Sequence, residues 1–167
     1  MSDGENAVKS ELAAEVLRSF GTLRFAATGW SMLPSIWPGE TLVVERVEPH
    51  QVRIGDVVLV GREGRLCAHR VVSTVEGSGT PQWFTQGDAM SVPDCPVAEN
   101  ELLGRVAYVI RSGKNVTLST ELSAPAKVIA KIVRRSFFAA RVLVSLHSMV
   151  RTSEMPDPRE AVLPCQG

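Results

Sequence analysis

Two short segments of the chain carry side chains of the types used in nucleophilic catalysis. Residues 29–34 read Gly-Trp-Ser-Met-Leu-Pro, and His69 lies in the run Ala-His-Arg-Val-Val. A serine hydroxyl attacks at neutral pH only when a neighbouring group accepts its proton. No lysine occurs between residues 11 and 113. His69 is therefore the leading candidate for a base that serves Ser31.

The residues around Ser31 distinguish it from an ordinary turn serine. Serine is common in turns because its hydroxyl bonds to the local backbone, so Ser31 alone would indicate only a turn. Here Gly29 permits close approach of another chain, and Pro34 stiffens the exit of the turn. Met32 places an apolar side chain next to the hydroxyl. This context favours an exposed nucleophile over a structural serine.

His69 would be a better base if a carboxylate fixed its tautomer and stabilised the imidazolium. Asp88 and Asp94 are the available carboxylates, and both lie in the loop-like stretch Thr-Gln-Gly-Asp-Ala-Met-Ser-Val-Pro-Asp. Either can be a simple turn-forming aspartate, and His69 can be a satisfied core histidine on its strand. The sequence leaves the choice between Asp88 and Asp94 open.

The cysteines favour neither a disulfide framework nor a metal site. The chain has three cysteines and no Cys-x-x-Cys, which indicates a reducing compartment. Cys67, His69, Asp94 and Cys95 are metal-ligand types, but their spacing matches no common zinc pattern. We therefore expect no metal and no other cofactor. The acidic N-terminus lacks the features of a secretory signal, so we expect a cytoplasmic location.

The pattern of short β-branched runs predicts a mainly β fold. Strands are predicted at 41–47, 56–60, 66–72 and 102–110, separated by Gly- and Pro-rich turns. A helix with an apolar stripe of Leu12, Val16 and Phe20 is predicted over 10–20. The predicted organisation is an N-terminal segment (1–22), an antiparallel β-domain (23–112), a helical region (113–151) after a hinge at 112–114, and a flexible tail (152–167).

The predicted C-terminal helix, 124–151, has basic residues on one side and apolar residues on the other. The basic side comprises Lys127, Lys131, Arg134, Arg135 and Arg141, and the apolar side Ile129, Ile132, Ala140, Leu143, Val144 and Val150. These charges interrupt the roughly 20 apolar residues that a membrane span needs. The helix either packs on the β-domain or lies on an anionic membrane through residues 127–141. The 18 basic and 18 acidic residues balance, so no nucleic-acid partner is expected.

The ordered set of motifs resembles the signal peptidase I and LexA-like serine peptidases. The resemblance rests on the Gly29–Pro34 segment, Pro38-Gly39-Glu40, Gly55-Asp56-Val57-Val58, His69-Arg70-Val71-Val72, Gly87-Asp88 and Leu103-Gly104-Arg105-Val106. It covers about residues 25 to 108. Bacterial signal peptidases have lysine at the position of His69, whereas archaeal and endoplasmic-reticulum types have histidine. The chain therefore resembles the Ser/His branch, and the resemblance implies a LexA/signal-peptidase-like β-domain.

This resemblance implies a serine endopeptidase that cleaves a protein or leader-peptide substrate. It implies Ser31, His69 and Asp94 as catalytic residues, with Asp88, Gly29, Met32 and Arg70 in supporting roles. The chain differs from the family in lacking a membrane-spanning segment, in having Gly29 where some relatives have an oxyanion-hole serine, and in having Ala89 and Met90 after the Gly-Asp pair. Two alternatives remain open: an inactive module that binds a peptide or a membrane, and a LexA-like self-cleaving regulator.

Overall fold

The structure, a computed structural model, describes residues 3–75 and 81–135. Seven strands form one antiparallel sheet, accompanied by two helices, which confirms the prediction of a mainly β chain. In chain order the elements are α1 (Asp3–Phe20), β1 (Thr22–Ala26), β2 (Thr41–Glu45), β3 (Val57–Arg62), β4 (Arg65–Val75), β5 (Gln82–Gln86), β6 (Leu102–Arg111), β7 (Lys114–Val116) and α2 (Ala124–Arg135). Two 3₁₀ turns span Pro49–Gln51 and Glu99–Glu101.

The strand order is β1-β2-β6-β3-β4-β5, and β7 also pairs with β6. The last half of β4, Arg70–Val75, pairs with β5, whereas the first half pairs only with β3 among the described strands. Among the described strands, β1 pairs with β2 alone and β7 with β6 alone. The described part of the sheet therefore has unpaired backbone edges along β1, along the start of β4 and along β7, and the first two of these border the site described below.

These two edges lie near each other because the sheet curls around a shared core. Phe25 of β1 and Leu66 of β4 both pack against a buried cluster that includes Val44, Leu59 and Val109. A flat sheet of this strand order would hold β1 and β4 apart. The curl thus forms a cleft between two strand edges.

Helix α1 differs from its prediction in both length and orientation. It begins at residue 3 rather than 10. Among the α1 residues whose side chains the structure describes, 8–20, Ala13 and Leu17 are buried, whereas Leu12 and Phe20 are 61% and 77% exposed. The predicted stripe of Leu12, Val16 and Phe20 was therefore wrong. Leu17 joins the core beneath β2 and β6. With Leu17 facing the sheet, Leu12 and Phe20 face solvent.

The predicted strands are present, with ends that differ by up to three residues. The predicted hinge at 112–114 is instead a tight turn: Ser112 and Gly113 have φ values of 48° and 73°, and β7 pairs back onto β6. The sheet therefore continues past residue 112, the end predicted for the β-domain. Two positive φ values in succession suit a two-residue hairpin turn.

Helix α2 is described to Arg135, so the predicted continuation to 151 lies outside the described residues. It packs on the β-domain through Ala130 and Val133, which are 2% and 8% exposed. Ile132, predicted on the apolar side, is half exposed. Only part of the predicted apolar side therefore faces the domain.

Candidate active site

Ser31 lies in a loop whose two ends are fastened to each other. Ala27 N donates to Glu40 O at 2.8 Å, and Gly39 N donates to Ala27 O at 2.7 Å. Inside the loop Leu33 N donates to Trp30 O at 3.1 Å, closing a turn around Ser31. Met32 and Leu33 are buried, so the loop is anchored on its inner side while Ser31 remains accessible.

A buried ion pair fixes the far side of this loop. The carboxylate of Glu40, fully buried, accepts a hydrogen bond from Trp37 N at 2.9 Å and from Arg111 Nε at 2.5 Å. Arg111 also donates to Ser35 O at 2.9 Å. Because a buried carboxylate is costly unless it is paired and hydrogen-bonded, these contacts favour one loop conformation.

His69 lies on β4, and its ring joins Ser31 to Asp94. His69 Nε2 is 2.9 Å from Ser31 Oγ, and His69 Nδ1 donates to Asp94 Oδ2 at 2.6 Å. The His69 residue is 6% exposed. The three residues predicted as catalytic are thus connected by hydrogen bonds, in the order nucleophile, base and carboxylate.

Asp94 reaches His69 because the loop after β5 folds back along that strand. Asp94 N donates to Thr85 O at 2.7 Å, and Thr85 Oγ1 donates to Asp94 Oδ2 at 2.7 Å. Thr85 in turn is paired with Val71 of β4. The backbone register of β4 and β5 therefore sets the position of the carboxylate beside the imidazole.

Asp88, the other candidate carboxylate, belongs to a different cluster. It is 4% exposed and binds Arg70 through both oxygens, at 2.8 and 2.9 Å, and it also accepts from Ser35. Arg70 additionally donates to the carbonyls of Gly55 and Ser119. The geometry therefore assigns Asp94, and not Asp88, to His69.

The Gly-Asp segment also contacts the Ser31 loop directly. Ala89 N donates to Ser31 O at 2.8 Å. A Cβ on Gly87 would lie 2.6 Å from Ser31 O and 3.0 Å from Ser31 Cβ. Only glycine allows this approach, so Gly87 and Ala89 help to hold the backbone of Ser31 in place.

The surroundings of His69 favour its protonated form. Burial by itself lowers the pKa of the imidazole, but the hydrogen bond to Asp94 and the contact with Cys67 outweigh it and raise the pKa of His69 to about 9. For Asp94, burial raises the pKa, but the bonds from His69 and Thr85 prevail and lower it below its ordinary value. An ion pair between the two residues is thus the resting state near neutral pH.

Two residues of this site were not predicted to act there. Cys67 Sγ lies 3.2 Å from His69 Nε2, on the same side of the ring as Ser31. Cys67 and His69 are two residues apart on β4, so their side chains lie on the same face of the sheet. The contact of the Cys67 thiol with the imidazole was not predicted. The contact of Thr85 with Asp94 was not predicted, because it depends on the fold of the intervening loop.

A cavity of about 440 Å³ opens beside Ser31. It is lined by β1 and the segment that follows it on one side, and by the start of β4 on the other. Gly29 and Met32 both contribute to its wall, and a Cβ on Gly29 would meet no atom within 4 Å. The cavity lies between the edges of β1 and β4, and Ser31 is part of its lining.

Of the other two histidines of the chain, His50 lies in the first 3₁₀ turn, and His147 lies outside the described residues. Among the described residues, no group of three or more His, Cys, Asp or Glu side chains is arranged to hold a metal ion. Neither helix, over its described length, is long and apolar enough to cross a membrane.

A scan against models of known protein families finds no match to this chain, and a search of curated proteins finds none either. A hydroxyl, an imidazole and a carboxylate aligned beside an apolar cleft form an arrangement suited to acyl transfer.

Proposed function

We propose that this protein is a serine endopeptidase of the Ser/His type, with a β-domain of the LexA and signal peptidase kind. The observation that carries the proposal is the hydrogen-bonded series of Ser31, His69 and Asp94. The cleft between the edges of β1 and β4 supports a peptide substrate, because an extended chain can pair with an exposed strand edge. The motifs quoted above support the same assignment.

In the proposed reaction, His69 is first in its neutral form, which becomes more populated as the pH rises towards about 9. Ser31 Oγ then attacks the carbonyl carbon of the scissile peptide bond while His69 Nε2 accepts its proton. The resulting tetrahedral intermediate collapses, and His69 returns the proton to the leaving amine. Water then attacks the acyl-enzyme with His69 as base, which releases the new carboxyl terminus and restores the Ser31 hydroxyl. Asp94 holds the imidazole in the reactive tautomer and stabilises its positive charge.

The developing oxyanion needs donors, and Gly29 offers no side chain for this purpose. We assign this role to backbone N–H groups, including that of Ser31. The contacts of Gly87 and Ala89 with the Ser31 backbone would then keep these donors aligned. Arg70 and Asp88 act as positioning residues, because they hold the segment that contains Gly87.

A covalent serine probe tests the enzymatic assignment. A fluorophosphonate should label the wild-type protein, with the modified peptide containing Ser31. Ser31→Ala should abolish labelling, whereas Ser91→Ala, a change at an exposed loop serine, should leave it intact. Labelling that persists in Ser31→Ala would contradict the assignment of Ser31 as the nucleophile. Labelling that is absent from the wild type across the pH range would favour the alternative of an inactive binding module.

The self-cleaving alternative predicts a different product. A LexA-like regulator would cut its own chain, so intact mass should fall over time for the wild type and stay constant for Ser31→Ala. A peptidase that acts on other chains should keep its own mass while it cleaves peptides. Intact-mass measurement over several hours separates these two outcomes.

The outer face of α2 supports peripheral contact with an anionic membrane as a second proposal. Val128 and Ile132 are 59% and 50% exposed, one turn apart, and Lys127 and Lys131 are exposed beside them. No acidic residue occurs in α2. An exposed apolar pair flanked by lysines suits the interface of a negatively charged bilayer.

Vesicle flotation tests this contact. We expect the protein to float with vesicles that contain phosphatidylglycerol and not with neutral vesicles. The double change Lys127→Glu and Lys131→Glu should prevent flotation, and Lys114→Glu serves as the control. Equal flotation of both variants would contradict the assignment of the membrane contact to α2.

A further inference from the structure

The cleft beside Ser31 is apolar along most of its length but carries one charge. Its walls are built from side chains such as Phe25, Leu42 and Leu66. Among the described residues that line it, Lys9 is the only charged one. This lysine comes from α1, which lies outside the segment covered by the family resemblance.

Lys9 is held at a defined end of the cleft. Helix α1 is fixed on the sheet by the buried Ala13 and Leu17, and Ser10 Oγ lies 2.7 Å from the position that a Cβ on Gly61 would occupy. Gly61 pairs with Leu66 near the start of β4, and Leu66 and the preceding Gly64 line the same cavity as Lys9. The contact of Ser10 with Gly61 therefore places the neighbouring Lys9 towards the end of the cleft where β4 starts.

The ammonium group of Lys9 is available to a ligand. Lys9 is exposed, and it forms neither an ion pair nor a hydrogen bond with any other described side chain. Its aliphatic stem can lie along the apolar wall while the charge stays at the opening. A peptide that lies in the cleft would therefore pass the positive charge of Lys9.

We propose that Lys9 determines substrate specificity by binding an acidic side chain of the substrate, an inference that rests on the proposed peptidase function. Leu66 and Gly64 precede His69 by three and five residues along the chain. An extended substrate advances about 3.3 Å per residue, as the strand beside it does. The acidic residue should therefore lie about three to five residues from the scissile bond.

The proposed ion pair between Lys9 and an acidic substrate side chain is accessible to solvent. Its contribution to binding should therefore be small and should depend on salt. A solvent-exposed ion pair changes a binding constant by about two- to fivefold. The attraction should weaken in 1 M salt, where the screening length falls to about 3 Å. A preference based on shape would persist under the same conditions.

A library of peptides prepared from a cell proteome provides the test. Wild-type protein should cleave peptides enriched in Asp or Glu at one position, about three to five residues from the cut. Lys9→Glu should replace this preference with one for Lys or Arg, and Lys114→Glu, an exposed lysine outside the cleft, should keep the wild-type pattern. An identical residue profile for wild type and Lys9→Glu would overturn the proposal.

The same experiment separates this proposal from the proposed function. Cleavage that is absent from both wild type and Ser31→Ala would overturn the peptidase assignment, and the specificity proposal with it. Cleavage by wild type without an acidic preference would overturn only the role of Lys9. Binding to Ser31→Ala gives a readout without turnover: an acidic peptide should bind about two- to fivefold more tightly than its Gln counterpart. That difference should vanish when Lys9→Ala is added.

Discussion

Replacement of Asp94 by asparagine should shift the titration of His69 to lower pH. In the wild type burial works against the charged imidazole, yet the bond to Asp94 and the contact with Cys67 raise the pKa of His69 from 6.5 to about 9. The difference corresponds to about 3 kcal/mol of interaction with the protonated ring. Asparagine keeps the shape but removes the charge, so the pKa of His69 should fall towards 6.5 or below.

Nuclear magnetic resonance of the histidine rings measures this shift without a substrate. The chain contains three histidines, and the His69 signals are identified by their loss in His69→Ala. Glu45→Gln is the control, because Glu45 is a partly exposed carboxylate that pairs with Arg105 and not with His69. Wild-type titration near 6.5, or an unchanged His69 titration in Asp94→Asn, would refute the assignment of Asp94 to the imidazole.

The same pair should make stability depend on pH in a defined direction. A raised pKa for His69 stabilises the folded protein fully below about pH 6.5, and this contribution is lost as the pH rises through about 9. At the acidic end it is lost as the pH falls through the lowered pKa of Asp94. In urea unfolding, Asp94→Asn should therefore destabilise the protein more at pH 6 than at pH 9.5. A constant difference between the two pH values would contradict this reasoning.

Four further outcomes follow from the site. The rate of serine-probe labelling should rise with pH towards about 9, because the neutral form of His69 is the base; a rate that is flat from pH 6 to 9 would contradict this role. Gly87→Ala should displace Ser31 and abolish labelling at a stability cost of about 1–3 kcal/mol, whereas Gly29→Ala should be tolerated because its Cβ meets no atom within 4 Å. Arg70→Met should destabilise the fold by about 3–5 kcal/mol in thermal or urea unfolding, since it leaves the buried Asp88 unpaired. Iodoacetamide should inactivate the protein, because it would alkylate Cys67, whose sulfur lies 3.2 Å from His69 Nε2. Cys67→Ala should therefore resist inactivation. Cys95→Ala should remain sensitive, because Cys95 is exposed outside the cleft.

The sequence predicted the β class because alternating and β-branched runs report directly on strands. The prediction was less successful for α1. Leu12 and Phe20 suggested a buried stripe, but Ala13 and Leu17 are the residues buried against the sheet. Periodicity indicates that a helix has an apolar side, but the packing partner decides which residues that side includes. The same reason explains why Ile132 of α2 is half exposed.

The choice between Asp88 and Asp94 illustrates what local sequence cannot provide. Both aspartates lie in one loop, and only the return of that loop along β5, fixed by the bond from Asp94 N to Thr85 O, brings one of them to His69. The contact of Cys67 with the imidazole is likewise a consequence of side-chain rotamers on β4. By contrast, the candidacy of Ser31 and His69 followed from residue types and from the absence of lysine in the surrounding sequence.

The most direct test of the central claim compares protein N-termini in cells that produce either this protein or its Ser31→Ala variant at equal levels. Mass spectrometry of labelled N-termini identifies every new cleavage. The account predicts a set of termini that occurs with Ser31 and disappears with Ser31→Ala or His69→Ala. Identical sets of termini in all three cultures would contradict the assignment of Ser31 and His69 to peptide-bond cleavage.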